Sequence, residues 1–332
     1  MVSGLLAGLV LAVVYSIARD LLDTRMRSRK DVERVTDAPF LGTIGRWGRT
    51  SVPSIVMISS PHSPEAEDIR RVAANIDFAN VDNPVRSLVV TSGLPGEGKS
   101  SIAINLALAM SERHERVLLV DADLRKPSIA EYCGLEGSVG LTSVLVGSAT
   151  LTEAISPWAG GVIDVLPSGL IPANPTQMLG SEAMAALFQL FYTQYDFIVI
   201  DSPPLLPVSD SLVLSKLAAV AVVIARHKST RRAAFAETLN SVEGVNLWVL
   251  GVVLNGVNPQ KGDPYYAYRE NPPATGDVDG SPLGTSFKQP SEVSLESADP
   301  VIVDDADTHP REVAAVDLGS SQTPPRRPSG KR

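Results

Sequence analysis

An α/β fold built on a doubly wound, mostly parallel sheet is what this sequence predicts, and three observations carry the prediction. Near-continuous apolar runs of strand length alternate with helical stretches, the pattern of strands covered on both faces. A glycine-rich turn, Thr91-Ser92-Gly93-Leu94-Pro95-Gly96-Glu97-Gly98-Lys99-Ser100, joins the apolar run 87–90 to the helical stretch 101–110. Two further apolar runs end in acids: 116–120 leads into Asp121 and Asp123, and 195–200 leads into Asp201.

Composition bounds the rest. A chain of 332 residues, 44% hydrophobic and 20% charged, is long enough for one α/β domain plus appendages. Its net charge of −8 argues against nucleic acid as a partner, because neutralising phosphates needs clustered positive charge. Cys133 is the sole cysteine, which excludes an intramolecular disulfide and a cysteine metal cluster.

In chain order, residues 1–18 are uncharged and mostly apolar, near the lower length limit for a transmembrane helix. Arg19, Arg25, Arg27, Arg29 and Lys30 follow, and this basic flank places the later residues in the cytoplasm, giving a single-pass protein of the cell membrane. Residues 19–53 read as a charged juxtamembrane linker with a short apolar patch at 39–44. The folded domain is expected over 54–270, opening with a strand at 54–58 and a helix at 64–79 that has Pro64 and acids at its start and Ile69, Val72, Ile76 and Ala79 on one face. Further strands are expected at 162–166, 219–225 and 248–254, with helices at 181–190 and 231–239. Residues 271–332, rich in Pro, Gly, Ser, Thr and Asp, bury too little apolar surface to offset chain entropy and read as a disordered tail.

The motifs carry phosphate chemistry. The pattern G-x-x-x-x-G-K-S between strand and helix is that of a P-loop NTPase. Gly93, Gly96 and Gly98 let the backbone curl until successive N–H groups face one phosphate, and the helix N-terminus adds a favourable dipole. Lys99 is expected to reach the β- and γ-phosphates of ATP and Ser100 to hold Mg2+, with Glu97 and Ser101 completing the nucleotide-binding loop. In an open α/β sheet ligands sit at the carboxyl ends of the strands, which brings Asp121 and Asp123 beside Lys99. Asp201 ends a Walker-B strand and is expected to bind Mg2+ directly or through water. Asn255, at the tip of a late strand, is either an adenine contact or a turn residue before Gly256.

Taken in order and spacing, SGLPGEGKSS, VLLVDADLRKP, LPSGLIPANPTQML and YDFIVIDSPPLLPVSDS resemble the bacterial tyrosine kinases of capsular and exopolysaccharide synthesis. The likeness runs to about residue 270. The apolar start, DLLDTRMRS and PFLGTI are similar to the second membrane span and linker of the polysaccharide co-polymerase module that such kinases carry or partner. The resemblance implies an ATP- and Mg2+-dependent kinase with Lys99, Asp121, Asp123 and Asp201 as catalytic residues and Ser100, Asp123 and Asp201 at the metal. Within the aspartate pair, Asp121 is taken as the base and Asp123 as metal support. The implied acceptors are Tyr265, Tyr266 and Tyr268. The implied partners are further copies of this chain, polysaccharide co-polymerase or polymerase membrane proteins, and a phosphotyrosine phosphatase.

Two departures accompany the resemblance. The assembly pattern E-x-x-R-x-x-R is present as Glu67 and Arg70, with Ala73 in place of the second arginine, so the expected ring is a weak one. The extracytoplasmic module and first span of the co-polymerase are expected on another polypeptide or in a missing part of this one. Two other functions share these motifs. A Min/Par-type membrane-associated ATPase would carry a signature lysine where Leu94 stands, and a non-catalytic nucleotide-binding adaptor would not need every acid intact.

Overall fold

The computed structural model describes residues 24–47, 55–79, 85–208, 210–214, 218–245 and 247–258, together with Ala12. The span at 2–18 (Ala12 apart), the tyrosine cluster and the tail therefore lie outside the described residues. Among those described, no helix is long and apolar enough to cross a membrane.

Eight strands form one sheet in the order β1-β8-β7-β2-β6-β3-β5-β4. They are β1 (Phe40–Gly45), β2 (Ser87–Ser92), β3 (Val117–Asp121), β4 (Ser156–Trp158), β5 (Ile163–Leu166), β6 (Phe197–Asp201), β7 (Val220–Arg226) and β8 (Trp248–Val257). All neighbours pair in parallel except β4 with β5. The doubly wound, mostly parallel reading of the sequence is the observed one. Alternate residues of the central strands serve opposite faces: Leu88 and Val90 pack into one core, Val89 into another.

Helix α1 (Arg29–Glu33) precedes β1; α2 (Val56–Ser59) and α3 (Pro64–Phe78) precede β2; α4 (Lys99–Ser111) follows it. Ser63 caps α3 by accepting the Ala66 N–H at 3.2 Å, with Pro64 in the first turn. Between β3 and β6 run α5 (Ile129–Cys133), α6 (Leu141–Leu145), α7 (Leu151–Ala154), α8 (Pro175–Leu179) and α9 (Glu182–Gln194). The last two helices are α10 (Asp210–Leu214) and α11 (Arg232–Glu243).

The amino-terminal part corrects the sequence reading. The strand expected at 54–58 is not found: of that run, residues 56–58 lie in the helical turn α2, in which the N–H groups of Ile58 and Ser59 both return to the Ile55 carbonyl, and Ser54 lies outside the described residues. The sheet's edge strand lies instead inside the supposed linker, where β1 pairs with β8. Gly251 makes this possible, because Leu41 and the Pro39 carbonyl fill the space a side chain would take. Met26 and Val32 are buried with Phe235 and Val252, and Arg25 bridges to Arg231, so the folded unit begins well before residue 54.

On α3, Arg70, partly exposed, is engaged within the chain. Its Nε lies 3.0 Å from both Glu112 oxygens and its Nη1 donates to the Pro61 carbonyl at 2.7 Å. Ala73 is 0% exposed and packs in the core beneath β1, so the third position of the assembly pattern faces the protein's interior.

Candidate active site

The phosphate loop forms because two backbone positions accept what only glycine tolerates easily. Gly96 and Gly98 have φ of +79° and +98°, and a Cβ on Gly98 would run into the Asn255 amide. Gly98 is the N-cap of α4 and no side chain caps that helix, so its first N–H groups and its dipole face the loop. Lys99, buried, and Ser100 line a cleft of about 300 Å3 together with Ser101, Asp123, Arg125 and Tyr132.

Two residues expected at the nucleotide serve the loop itself. The Glu97 side chain is 3% exposed and accepts the Leu94 N–H at 3.0 Å and the Thr230 hydroxyl. Asn255 donates its side-chain amide to the Glu97 carbonyl at 2.9 Å. Neither orientation is visible in the local motif, because the partners Thr230 and Asn255 lie more than a hundred residues away from Glu97.

Parallel pairing sets the acids. In register, Asp121 on β3 stands opposite Asp201 on β6, and Val90 on β2 stands opposite Asp201 from the other side. Asp121 is fully buried; its Oδ1 accepts the Asp123 N–H at 3.2 Å, and its Oδ2 those of Ser128 and Ile129 at 3.1 and 3.0 Å. Burial, with the neighbouring Asp201 charge, holds its pKa well above the carboxylate range in spite of those bonds. Asp123 is the member of the pair that lines the cleft; it accepts the Lys126 N–H at 3.0 Å, and burial raises its pKa. The expected division of labour thus meets a geometry in which the supposed base, Asp121, is committed to backbone amides.

Asp201 is 0% exposed, and neither carboxylate oxygen has a hydrogen-bond acceptor or donor meeting it within bonding geometry. Burial pushes its pKa up to about 7, while the Lys99 charge and the nearby Ser100 hydroxyl pull it down. Two orphaned hard oxygens beside a hydroxyl and a lysine are a fitting seat for Mg2+, which takes few protein ligands and completes its shell with phosphates and water. Among the described residues no group of three or more His, Cys, Asp or Glu is arranged to hold a metal ion.

One cluster at the cleft was missed. Arg125 bonds Asp210 through Nε at 2.5 Å and Nη2 at 3.1 Å, and the Thr176 hydroxyl donates to the same carboxylate. Burial opposes ionisation of Asp210, but Arg125 and Thr176 outweigh it and hold the pKa low. The three residues come from three of the segments that carried the resemblance, and their spacing alone gave no hint that they meet.

The sequence model of the ParA family, described as "NUBPL iron-transfer P-loop NTPase", matches residues 83–264. Tyrosine-protein kinase YwqD of Bacillus subtilis (strain 168) is 35% identical over 215 residues, covering 65% of this chain and 91% of the relative. Tyrosine-protein kinase wzc of Salmonella typhimurium is 27% identical over 267 residues, 76% of this chain and 37% of the relative. The chain thus spans most of the first relative and about a third of the second. The crystal structure of the chimerical protein CapA2B2 superposes with a TM-score of 0.66 at 34% identity, over 70% of this chain and all of that one. The ParA family match, the intact phosphate loop with its acid-tipped strands, and these relatives together establish that the chain belongs to the bacterial tyrosine-protein kinases.

Proposed function

We propose that this kinase transfers the γ-phosphoryl group of ATP to Tyr265, Tyr266 and Tyr268 of a neighbouring copy, and that it does so at the cell membrane, where it regulates polymerisation or export of a capsular or extracellular polysaccharide. The observation that carries the site is Asp201, whose orphaned oxygens lie at the strand end beside Ser100 and Lys99.

Transfer to tyrosine forms a bond between the phenol oxygen and phosphorus, breaks the bond from phosphorus to the β,γ-bridging oxygen, and hands the phenol proton to a base. Lys99 and the loop amides bind the phosphates and spread their charge, so the residues act by positioning and electrostatics. Asp121 and Asp123 divide between them the acceptance of the proton and the support of the metal site; Asp123 is the one that lines the cleft, while Asp121 holds the backbone at the start of α5. Mg2+, held by Ser100 and Asp201, would neutralise charge developing along the β- and γ-phosphate oxygens.

The acceptor cluster is favoured by exclusion among the described tyrosines. Tyr192 shares a 2.6 Å hydrogen bond with Ser87, Tyr195 donates to Asp164 at 2.8 Å, and Tyr132 is partly buried with its pKa raised by burial. Phosphates on the cluster, each adding nearly two negative charges, would loosen self-association of an already acidic protein, and a phosphotyrosine phosphatase would reset it. Leu94 at the position of the Min/Par signature lysine disfavours the partitioning-ATPase reading.

The test mixes a Lys99→Met chain with intact tyrosines and an active chain carrying Phe at 265, 266 and 268. Phosphotyrosine on the Lys99→Met chain is the expected result; a modified wild type beside a blank mixture would reject transfer between copies.

A further inference from the structure

The last residue of β7 and the turn after it, residues 226–230, touch the phosphate loop at two points, and β8 touches it at a third. Arg226 donates through Nη1 to the Gly96 carbonyl, the Thr230 hydroxyl donates to the Glu97 carboxylate, and Asn255 donates to the Glu97 carbonyl. None of these groups lies within the loop motif.

The pattern has a directional consequence. In a trans peptide the C=O and the following N–H point opposite ways. Fixing the carbonyls of Gly96 and Glu97 to donors from β7 and β8 therefore turns the N–H groups of Glu97 and Gly98 to the other side, as an anion-binding nest requires. The Glu97 carboxylate would otherwise oppose a bound polyanion. Held by Thr230 and by the Leu94 N–H, it is kept inward and closes the loop across residues 94–97.

Thr230 is committed to this job. It is 2% exposed, and its oxygen accepts the Arg226 N–H at 2.8 Å, which leaves its single hydroxyl hydrogen for Glu97. The turn that aims it is strained: Lys228 is a non-glycine residue at φ +56°. It is over-determined by its surroundings, since Lys228 N–H donates to the Met26 carbonyl at 2.7 Å and Met26 N–H to the Thr230 carbonyl at 2.8 Å.

We infer that this turn is a positioning clamp for the phosphate loop, in which Thr230, through Glu97, and Arg226, through Gly96, set the loop shape that binds the phosphates of Mg-ATP. The inference rests on the nucleotide site proposed above and assigns no contact between either residue and the substrate.

The test measures Mg-ATP affinity of the full chain by calorimetry, with KM and kcat for tyrosine modification beside it. Thr230→Val, which keeps the shape and removes the hydroxyl, should weaken affinity about tenfold and raise KM with it, while kcat at saturation changes little. Thr230→Ser should restore both. Arg226→Met, a change at an exposed side chain, should weaken affinity several-fold and decides the matter if the valine variant fails to fold. Wild-type affinity in folded Thr230→Val and Arg226→Met chains, or failure of serine to restore it, would overturn the clamp. A wild type that binds Mg-ATP but modifies no tyrosine, with the same losses of affinity in the variants, would reject the kinase reading and leave the clamp standing.

Discussion

Asp121 and Asp201 face each other across the parallel strands β3 and β6, two fully buried carboxyls paired in register at the end of the sheet that holds the phosphate loop. Their partners differ: Asp121 receives three backbone N–H groups, whereas no donor meets either Asp201 oxygen in full hydrogen-bonding geometry, although the Ser100 hydroxyl and the Ser202 N–H lie near enough to lower its pKa. That asymmetry separates a carboxylate that organises backbone from the one proposed above to hold Mg2+.

The first prediction concerns pH. A folded-state pKa of about 7 for Asp201 lies above the unfolded value near 4, so the stability this group contributes is full below pH 4 and is lost as pH rises through 7. The effect is at most about 4 kcal/mol. Without nucleotide or Mg2+, Asp201→Asn should therefore be more stable than wild type at pH 8 and gain little at pH 4, while transferring no phosphate. Urea denaturation at the two pH values measures this; equal stability of both proteins at pH 8 would contradict the buried, unpartnered carboxylate.

The second concerns the clasp at the cleft. Arg125→Ala leaves the buried Asp210 with the Thr176 hydroxyl and should lower stability by about 1.5 kcal/mol, the low end for a hydrogen bond to a charged group, because Arg125 itself is partly in water. The sign with pH is opposite to that of Asp201. The lowered pKa of Asp210 contributes stability above the unfolded value near 4 that is lost as pH falls through the folded value. Denaturation at pH 7 should separate wild type from variant, and the gap should narrow towards pH 3. A gap that widens on acidification would reject the pairing.

The third concerns assembly. Restoring the second arginine of the pattern by Ala73→Arg would force a guanidinium into the core under β1, at a position with 0% exposure. We expect a loss of more than about 2 kcal/mol and no tighter self-association. Thermal unfolding and analytical ultracentrifugation check both. A variant as stable as wild type that forms larger rings would show that α3 presents this position outward.

The fourth concerns topology. If residues 2–18 anchor the chain with its amino terminus outside, protease added to intact cells should leave the kinase domain whole. Digestion of that domain from outside would reverse the orientation.

Much of this architecture was legible because it is local. The β2–loop–α4 unit, the two acid-tipped strands and the central apolar runs each declare themselves within about twenty-five residues. Strand β1 did not, because Phe40–Gly45 contains glycines and a threonine, lies at the sheet edge, and pairs with residues some two hundred positions away. Residues 54–58 misled for the complementary reason: a short apolar run has too little periodicity to separate a strand from a helical turn. In the site, Lys99 and Ser100 follow from the motif. The inward turn of Glu97 depends on Thr230, 133 residues on, and the clasp joins Arg125 to Asp210 across 85 residues. Such pairs are fixed by the sheet's strand order and leave no mark in local spacing.

Incubating the purified chain with Mg-ATP and mapping phosphotyrosine by mass spectrometry tests the kinase assignment and its acceptors in one measurement. Phosphate is expected on Tyr265, Tyr266 and Tyr268, dependent on Mg2+ and absent from Lys99→Met and Asp201→Asn chains incubated alone. A folded wild type that binds Mg-ATP yet carries no phosphotyrosine, or a Lys99→Met chain modified as fully as wild type, would contradict that assignment.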